Sequence, residues 1–302
     1  MKIIVFDVGN AACSIISSPN KFGLMMDCGS ISEGLNPVDL FTQNKEWLGL
    51  KSFVTSNGIE YKIGLLHITH PDDDHVRNAK RIKDELTPYL LRKREYEEFP
   101  DSDTINQDYI KYIDKVYRGK DPEIINWVFD ANEIFQIPMD TIKSDELLSK
   151  TIRNNSSILR FIEYKGIKIL YPGDLEKEGW DWLIKNNTSF VNTIRKGINI
   201  LIAPHHGHKS GFPASLFEIV DKVDVIIHSK GSEGNIEGTD VSTQYSAKAN
   251  GVIYKSLNNG FRYKGNVLTT RSNGSIYIQI EEDGCTYWAS KASPNHEKVT
   301  AT

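Results

Sequence analysis

Four side chains that can bind a metal ion lie within six consecutive residues of the sequence. They are His70, Asp72, Asp74 and His75. Imidazole nitrogen and carboxylate oxygen are ligands that zinc and manganese both accept. An Asp-rich segment can instead cap the N-terminus of a helix, because its carboxylates accept hydrogen bonds from unpaired backbone N–H groups. For the aspartates alone both interpretations are equally good, and the two histidines, with further His and Asp clusters elsewhere, favour a metal site.

Two further clusters follow apolar segments later in the chain. Asp174 follows a β-rich run and a glycine, which on its own is a common turn. In company with the first cluster, its carboxylate can bridge two cations about 3.5–4 Å apart, the arrangement of two-metal phosphoesterases. His205 and His206 follow the apolar residues 198–203 and precede Gly207, which permits a sharp turn or close approach of a substrate. Adjacent histidines point in different directions, so one can bind metal while the other contacts substrate.

Three other histidines need separate interpretations. His228 ends the apolar segment 223–227 and is equally consistent with a metal ligand and with a structural histidine. His67 lies inside an apolar run and is expected to be a buried histidine with satisfied hydrogen bonds. His208 is expected to face solvent.

These clusters predict a site for two divalent ions, Zn or Mn. We assign His70, Asp72, Asp74, His75, Asp174, His205 and His228 to the metals, and Asp72, Asp74 and His206 to catalysis. In this scheme Asp72 or Asp74 holds the water, and the histidine of the 205–206 pair that does not bind metal donates to the substrate. Which of the two binds metal is open.

A repeated pattern in the sequence explains how such distant residues can meet. At Asp27, His70, Asp174, His205 and His228, an apolar strand-like run ends in a Gly-, His- or Asp-rich turn. Strand ends of one layered α/β sheet lie along a common edge, and ligands bind in the crevice there. The sequence therefore predicts an α/β fold with one site at a sheet edge.

Composition limits the remaining possibilities. The 302 residues carry a net charge of −4 with a pI near 6.1, which argues against a generally basic nucleic-acid surface. Three widely spaced cysteines fit neither a disulfide framework nor a zinc ribbon. The start lacks a leader pattern, and no run approaches 18 apolar residues, so we expect a cytoplasmic protein without a membrane span. We expect one domain over residues 1–302, with a helical insertion at about residues 77–150. Residues 91–150, rich in charge, are expected to be solvated, with a substrate lid as the alternative.

The clusters together resemble the metallo-β-lactamase superfamily, and in particular the nuclease-like domain of ComEC-type competence proteins. In most of that superfamily the first motif is His-x-His-x-Asp-His, and Asp72 in place of the second histidine is typical of the ComEC-like branch. Matching motifs stand in the same order along nearly the whole chain. They are Asp7-Val8-Gly9, Met26-Asp27-Cys28-Gly29, Asn154-Asn155-Ser156-Ser157, Pro172-Gly173-Asp174-Leu175-Glu176, Ala203-Pro204-His205-His206-Gly207 with Lys209-Ser210, and Asn273-Gly274-Ser275-Ile276.

The resemblance implies a four-layer αβ/βα sandwich and phosphoester hydrolysis on two divalent ions. The chain departs from the family pattern at Asn10–Ala12, usually Gln-Gly-Asp, at Arg77-Asn78, usually Gly-Gly, and at His208, usually Ser. A histidine expected near residues 238–243 is missing, and His228 is a hypothetical replacement. These departures concern the substrate end of the site.

The leading hypothesis is therefore a Zn- or Mn-dependent phosphodiesterase, in particular a nuclease acting on DNA, RNA or a nucleotide. One alternative is hydrolysis of another ester, such as a phosphocholine ester, a lactone or a thioester, since long nucleic acids favour a positive track. The other is a non-catalytic module that binds a partner.

Overall fold

The hydrophobic residues of the strands face two different environments in alternation. In the first strand Ile3 and Val5 join one core and Ile4 joins another, as the two-residue repeat of a strand requires.

The computed structural model describes residues 1–31, 36–55, 58–61, 63–95, 98–100, 105–106, 126–231 and 241–299. Its strands, in chain order, are β1 (Lys2–Val5), β2 (Ser14–Ser17), β3 (Gly23–Met26), β4 (Ser52–Thr55), β5 (Gly58–Tyr61), β6 (Ile63–His67), β7 (Leu90–Arg92), β8 (Ala131–Phe135), β9 (Leu159–Tyr164), β10 (Ile167–Tyr171), β11 (Ile200–Ile202), β12 (Val225–His228), β13 (Val252–Ser256), β14 (Arg262–Gly265), β15 (Val267–Thr269), β16 (Ile276–Glu281), β17 (Gly284–Ala289) and β18 (Glu297–Val299).

Within the described ranges the strands form two main sheets. The larger has the order β18-β14-β13-β17-β16-β1-β2-β3-β6-β7, and the smaller has the order β15-β12-β11-β10-β9-β8. β4 and β5 form a separate hairpin. In the larger sheet β3, β6 and β7 are parallel. In the smaller sheet β10, β11, β12 and β15 are parallel. Each parallel set therefore brings the carboxyl ends of its strands to one edge.

The helices and single turns connect and cover these sheets. They are α1 (Pro37–Leu48), α2 (Asp73–Val76), α3 (Ala79–Arg81), which continues as a π-helical turn (Ile82–Leu86), α4 (Met139–Ser144), α5 (Ile152–Asn155), α6 (Lys177–Asn186), α7 (Thr188–Ile194), α8 (Ala214–Val220), α9 (Ser242–Ala247) and α10 (Thr270–Asn273), with 3₁₀ turns at Leu148–Thr151, Pro204–Gly207 and Lys209–Gly211. In the part of the chain described, no helix has the length and apolar character needed to cross a bilayer.

The layers follow from what packs on each face. Between the sheets, Ile3 and Leu65 of the larger sheet share a core with Ile169 and Ile200 of the smaller. On the outer side of the larger sheet, Tyr277 of β16 donates to Asn44 of α1 at 2.9 Å. On the outer side of the smaller sheet, Thr193 of α7 donates to Glu133 of β8 at 2.8 Å, and Phe135 packs edge-on against Phe190. The expected four-layer helix–sheet–sheet–helix sandwich is confirmed.

The segment at residues 77–150 differs from the helical insertion predicted above. It contains β7, whose Leu90 and Leu91 pair in parallel with Leu65 and Leu66, and β8, which pairs antiparallel with β9. β8 is an edge strand with only Phe135 fully buried, so its sequence lacks the apolar run of a central strand. Residues 96–97, 101–104 and 107–125 of the segment proposed as a lid lie outside the described residues. The cysteines agree with the prediction, since Cys13, Cys28 and Cys285 are all free.

Candidate metal centre

The predicted ligand clusters meet at the edge where the parallel strands end. Asp27 follows β3, His70 follows β6, Asp174 follows β10, and the His205-His206 turn follows β11. Backbone hydrogen bonds join these loops. Ile158 N–H donates to Thr69 O at 2.9 Å between the two sheets, and His205 N–H donates to Gly173 O at 3.2 Å between neighbouring loops of the smaller sheet. The sheet edge is therefore one continuous surface at the site.

Four ligand atoms form a compact group. One atom each from Asp74, His75, Asp174 and His206 lie within 4.8 Å of one another. His75 Nε2 is 3.1 Å from Asp174 Oδ1, and His206 Nε2 is 3.1 Å from Asp74 Oδ2 and 3.6 Å from Asp174 Oδ2. Two imidazoles and two carboxylates are a suitable donor set for a four-coordinate divalent ion.

A second group of donors lies on the other side of Asp174. His70 Nε2 is 3.6 Å from Asp72 Oδ2 and 3.9 Å from Asp174 Oδ2. The rings of His70 and His75 are also close, with centroids 4.1 Å apart. The Asp174 carboxylate thus faces both groups, as a bridging ligand must, but this second group has three donors against four in the first.

The histidine rings are held so that one nitrogen faces the site. His75 Nδ1 is 2.8 Å from Asp27 Oδ2, and His206 Nδ1 is 2.7 Å from Ser229 O. Carboxylate and carbonyl oxygens only accept hydrogen bonds, so both rings donate from Nδ1, and each ring in its neutral form has its lone pair at Nε2. A carboxylate or carbonyl behind the ring is the usual support of a metal-binding histidine.

Two buried nitrogen atoms test whether a cation suits these residues. Among the described residues, the Nε2 atoms of His70 and His75 are buried and make no hydrogen bond of good geometry, although carboxylate oxygens lie 3.1–3.9 Å from them. Buried polar atoms without a partner are rare and costly in native proteins. A cation at each group would satisfy these atoms, so the donor set fits divalent metal.

The structure separates His205 from His206, which the sequence analysis left open. His206, not His205, joins the four-atom group. His205 is more exposed, with Nδ1 3.3 Å from Glu176 Oε1 and 3.0 Å from Ser210 Oγ, and Nε2 3.9 Å from Asp174 Oδ2. The sequence could not separate two adjacent histidines, because the turn geometry that aims them is not visible in it.

That turn has an unusual backbone. In this turn His205 and His206 both have a positive φ, 48° and 53°. Asp27, in the loop after β3, also has a positive φ, 56°. Left-handed backbone costs a non-glycine residue roughly 1–2 kcal/mol. Such conformations cluster at functional sites, where the surroundings impose them. Here Gly29 allows the close packing, since a Cβ on it would lie 1.5 Å from Asp74 O.

His228 is not part of the four-atom group. Its buried ring packs edge-on against Tyr245, and it lies directly under Gly207, where an added Cβ would come within 2.3 Å of His228 Nδ1. It therefore supports the histidine turn from below, and this geometry does not favour it as a ligand. The sequence analysis offered His228 as a replacement for the histidine that is missing near residues 238–243. Residues 238–240 of that segment lie outside the described part of the chain.

The other two histidines are readily placed. His67 is fully buried, donates to Ile158 O from Nε2 at 2.9 Å and accepts from Arg160 at Nδ1 at 3.2 Å. Burial and the Arg160 charge hold the pKa of His67 well below its ordinary value, so the predicted satisfied core histidine is confirmed. His208 is half-buried rather than solvent-facing, because its Nδ1 accepts from Ser210 N–H at 3.2 Å.

The histidines and carboxylates of the site shift each other's pKa values. Burial opposes protonation of His75, but Asp174, Asp27 and Asp74 outweigh it and raise the pKa of His75 well above its ordinary value. Burial likewise opposes ionisation of Asp174, but His75 and His206 hold the pKa of Asp174 well below its ordinary value. Because metal ligands must be deprotonated, a cation binding here competes with protons on these histidines.

Sequence reasoning missed the supporting carboxylates. Asp27 was noted only as a strand end, yet its side chain accepts from Thr69 N–H at 2.7 Å as well as from His75. Burial alone would raise the pKa of Glu176, but hydrogen bonds from His205, Asn154, Thr151 and Ser210 lower it to about 2. The signal for both was their position in turns that already carried candidate ligands.

With this geometry established, known proteins can be compared. The chain resembles metallo-β-lactamase-fold proteins. The metallo-β-lactamase fold protein YhfI from Bacillus subtilis is 12% identical, the match covers 91% of this chain and 99% of that one, and the TM-score is 0.41. Human tRNase Z, short form, is 15% identical with 80% and 97% covered and a TM-score of 0.38. These likenesses are distant, and the fold rests on the sheet topology described above.

A sequence relative agrees with the ComEC-like resemblance. ComE operon protein 3 of Bacillus subtilis (strain 168) is 24% identical over 216 residues, which are 69% of this chain and 26% of that protein. The chain thus spans about a quarter of the length of this relative. No family model matches the chain.

Proposed function

We propose that the protein is a metal-dependent hydrolase that cleaves phosphodiesters, with a nucleic-acid strand or a nucleotide as substrate. The observation that carries the proposal is the group of Asp74, His75, Asp174 and His206, whose imidazole Nε2 atoms face two carboxylates. The resemblance of the motifs to the nuclease-like domain of ComEC-type competence proteins favours this substrate class.

The ligand assignment within this proposal is specific. Asp74, His75, Asp174 and His206 would hold one ion, and His70, Asp72 and Asp174 would hold a second, with fewer donors. Divalent cations bound there supply a water activated near neutral pH and offset the charge of a phosphoryl group. We leave His228 out of the ligand set.

The chain itself contributes orientation and hydrogen bonding. Asp27 and Ser229 O fix the tautomers of His75 and His206, so that their lone pairs stay directed at the ions. His205 stands at the rim, with Nδ1 held by Glu176 and Ser210. Because Nδ1 donates to Glu176, Nε2 can donate to a phosphoryl or leaving-group oxygen when the ring carries both protons. Burial opposes that form, but Glu176 and Asp174 outweigh it and raise the pKa of His205. Such donation is the catalytic role that the sequence analysis gave to His206.

The test is a substrate panel on purified protein with Zn²⁺ or Mn²⁺ added. It contains single- and double-stranded DNA, RNA, cyclic nucleotides and bis(p-nitrophenyl) phosphate, with an Asp174→Asn variant as the negative control. We expect metal-dependent cleavage by the wild type and none by the variant. Bound metal without cleavage of any phosphodiester would defeat the proposal, and a parallel screen of lactones, thioesters and phosphocholine esters would then identify another ester class.

A further inference from the structure

A cavity opens directly beside the candidate metal centre. Its volume is about 370 Å³, and its lining includes Asp72, Ser149, Lys150, Thr151, Arg153 and Asn154. Binding sites for small molecules have volumes of roughly 300–1,000 Å³, so this space accommodates about one nucleotide unit. A larger cavity, of about 770 Å³ and lined by Lys264, Arg271 and His296 among others, borders none of the proposed ligands.

Two positively charged side chains, Lys150 and Arg153, line the cavity beside Asp72. Arg153 Nη1 lies 3.2 Å from Asp72 Oδ1, so its guanidinium is placed at the boundary between the cavity and the metal centre. Lys150 is exposed, and no carboxylate of the described ranges forms an ion pair with it. The cavity therefore combines a guanidinium next to the reaction centre with an ammonium group further out.

Glu176 holds in place the segment that carries these cations. It accepts from Thr151 Oγ1 at 2.9 Å, from Asn154 Nδ2 at 3.0 Å and from Ser210 Oγ at 3.0 Å. These bonds fasten the segment on both sides of the arginine to the protein. The two cations thus project from a backbone that is fixed before any ligand arrives, as a precise binding site requires.

We infer that this cavity binds a phosphate of a single-stranded nucleic-acid substrate, next to the phosphate that is cleaved, with Lys150 and Arg153 as the binding cations. The inference rests on the proposed function. An arginine fork fits phosphate oxygens, and lysine binds phosphate as a point charge. With a net charge of −4, the protein has no excess of positive charge for a long duplex, whereas two local cations suit a short stretch of one strand.

The experiment measures binding and its salt dependence. A fluorescent, cleavage-resistant phosphorothioate pentanucleotide is titrated against the metal-loaded wild type and the Lys150→Ala, Lys150→Arg and Lys143→Ala variants. Lys143 is the matched control, since it lies on the exposed side of α4 and does not line the cavity. For single strands, each lost phosphate contact lowers the slope of log K against log salt by about 0.7.

We expect Lys150→Ala to weaken binding about tenfold at low salt and to lose about 0.7 of the salt slope. Lys150→Arg should keep the slope, and Lys143→Ala should match the wild type. In kinetics, Lys150→Ala should raise the ratio of KM for a trinucleotide to KM for bis(p-nitrophenyl) phosphate, which has no neighbouring phosphate. Equal slopes and equal KM ratios for the two alanine variants would overturn the inference. Failure of the wild type to cleave any phosphodiester would instead defeat the proposed function.

Discussion

The substitution Asp27→Asn tests the support behind the metal-binding histidines without touching a proposed ligand. Asp27 Oδ1 accepts from Thr69 N–H at 2.7 Å, and Asp27 Oδ2 accepts from His75 Nδ1 at 2.8 Å and from Thr69 Oγ1 at 2.9 Å. An asparagine offers one accepting oxygen and one donating amide. Either Thr69 N–H or His75 Nδ1 therefore loses its acceptor, or His75 shifts its proton to Nε2 and loses the lone pair that faces the site.

Either outcome weakens metal binding. Loss of a hydrogen-bond partner behind a metal ligand typically costs 10- to 100-fold in metal affinity, which corresponds to about 1.4–2.8 kcal/mol. The backbone should tolerate the change, because Asp27 has a φ of 56° and asparagine is one of the residues that accept left-handed backbone.

The assay is competition for Zn²⁺ against a chromogenic chelator, with the Asp73→Asn variant as control. Asp73 is next to the same ligands but half-exposed, and it interacts with Arg77 and Asn106 instead of a histidine. We expect a 10- to 100-fold weaker Kd for Asp27→Asn and a wild-type Kd for the control. An Asp27→Asn variant that folds like the wild type and binds Zn²⁺ within threefold of it would show that Asp27 does not orient His75 for metal.

Further predictions concern the bridging ligand and the stability of the fold. Asp174→Asn should reduce bound metal measured by elemental analysis to less than half of the wild-type amount, because this carboxylate faces both donor groups; undiminished metal content would contradict the bridging assignment. Lys165 has a φ of 51° in the β9–β10 turn, so Lys165→Asn should raise the free energy of unfolding by roughly 0.5–1 kcal/mol in urea titrations, and no gain would contradict it. Leu201→Ala, at a fully buried position, should lower that free energy by roughly 2–5 kcal/mol, whereas Leu257→Ala, at a position that is 53% exposed, should change it by less than about 0.5 kcal/mol.

The sheet edge and the candidate ligands along it were predictable, because local sequence specifies where each strand ends. Each ligand cluster follows an apolar run, and a strand ends where that run ends. The tight turn at Lys165 and Gly166 was also predictable, since β9 and β10 pair in register on either side of it. These features need only a few neighbouring residues to be specified.

Features that depend on distant contacts were not predictable in the same way. β8 is a strand because it pairs with β9, although it contains the polar residues Asn132 and Glu133 and most of its residues are partly exposed. The roles of His205 and His206 depend on a left-handed turn and on Ser229 O, which is 23 residues away from His206. Neither the turn nor its partner leaves a pattern in the residues nearby.

The first departure from the family motifs leaves the site supported, because the supporting hydrogen bonds come from backbone atoms. At the altered segment Asn10–Ala12, the contacts to the site use the backbone: Ala12 N–H donates to Asp74 O at 3.0 Å, and Ser229 Oγ donates to Ala11 O at 2.6 Å. Backbone groups stay the same when a side chain changes, so the loop that carries Asp74 keeps these hydrogen bonds although the usual Gln-Gly-Asp is absent.

At the second departure the new side chains take on structural work of their own. Asn78 is buried and donates to Cys28 O at 3.1 Å and Ser30 Oγ at 2.8 Å, while Arg77 donates to Ile31 O at 2.9 Å. A Gly-Gly pair could make none of these side-chain bonds. The substitutions therefore leave the proposed ligand geometry intact and change the loop beside it, which is where we expect this chain to differ from its relatives in the substrate that it accepts.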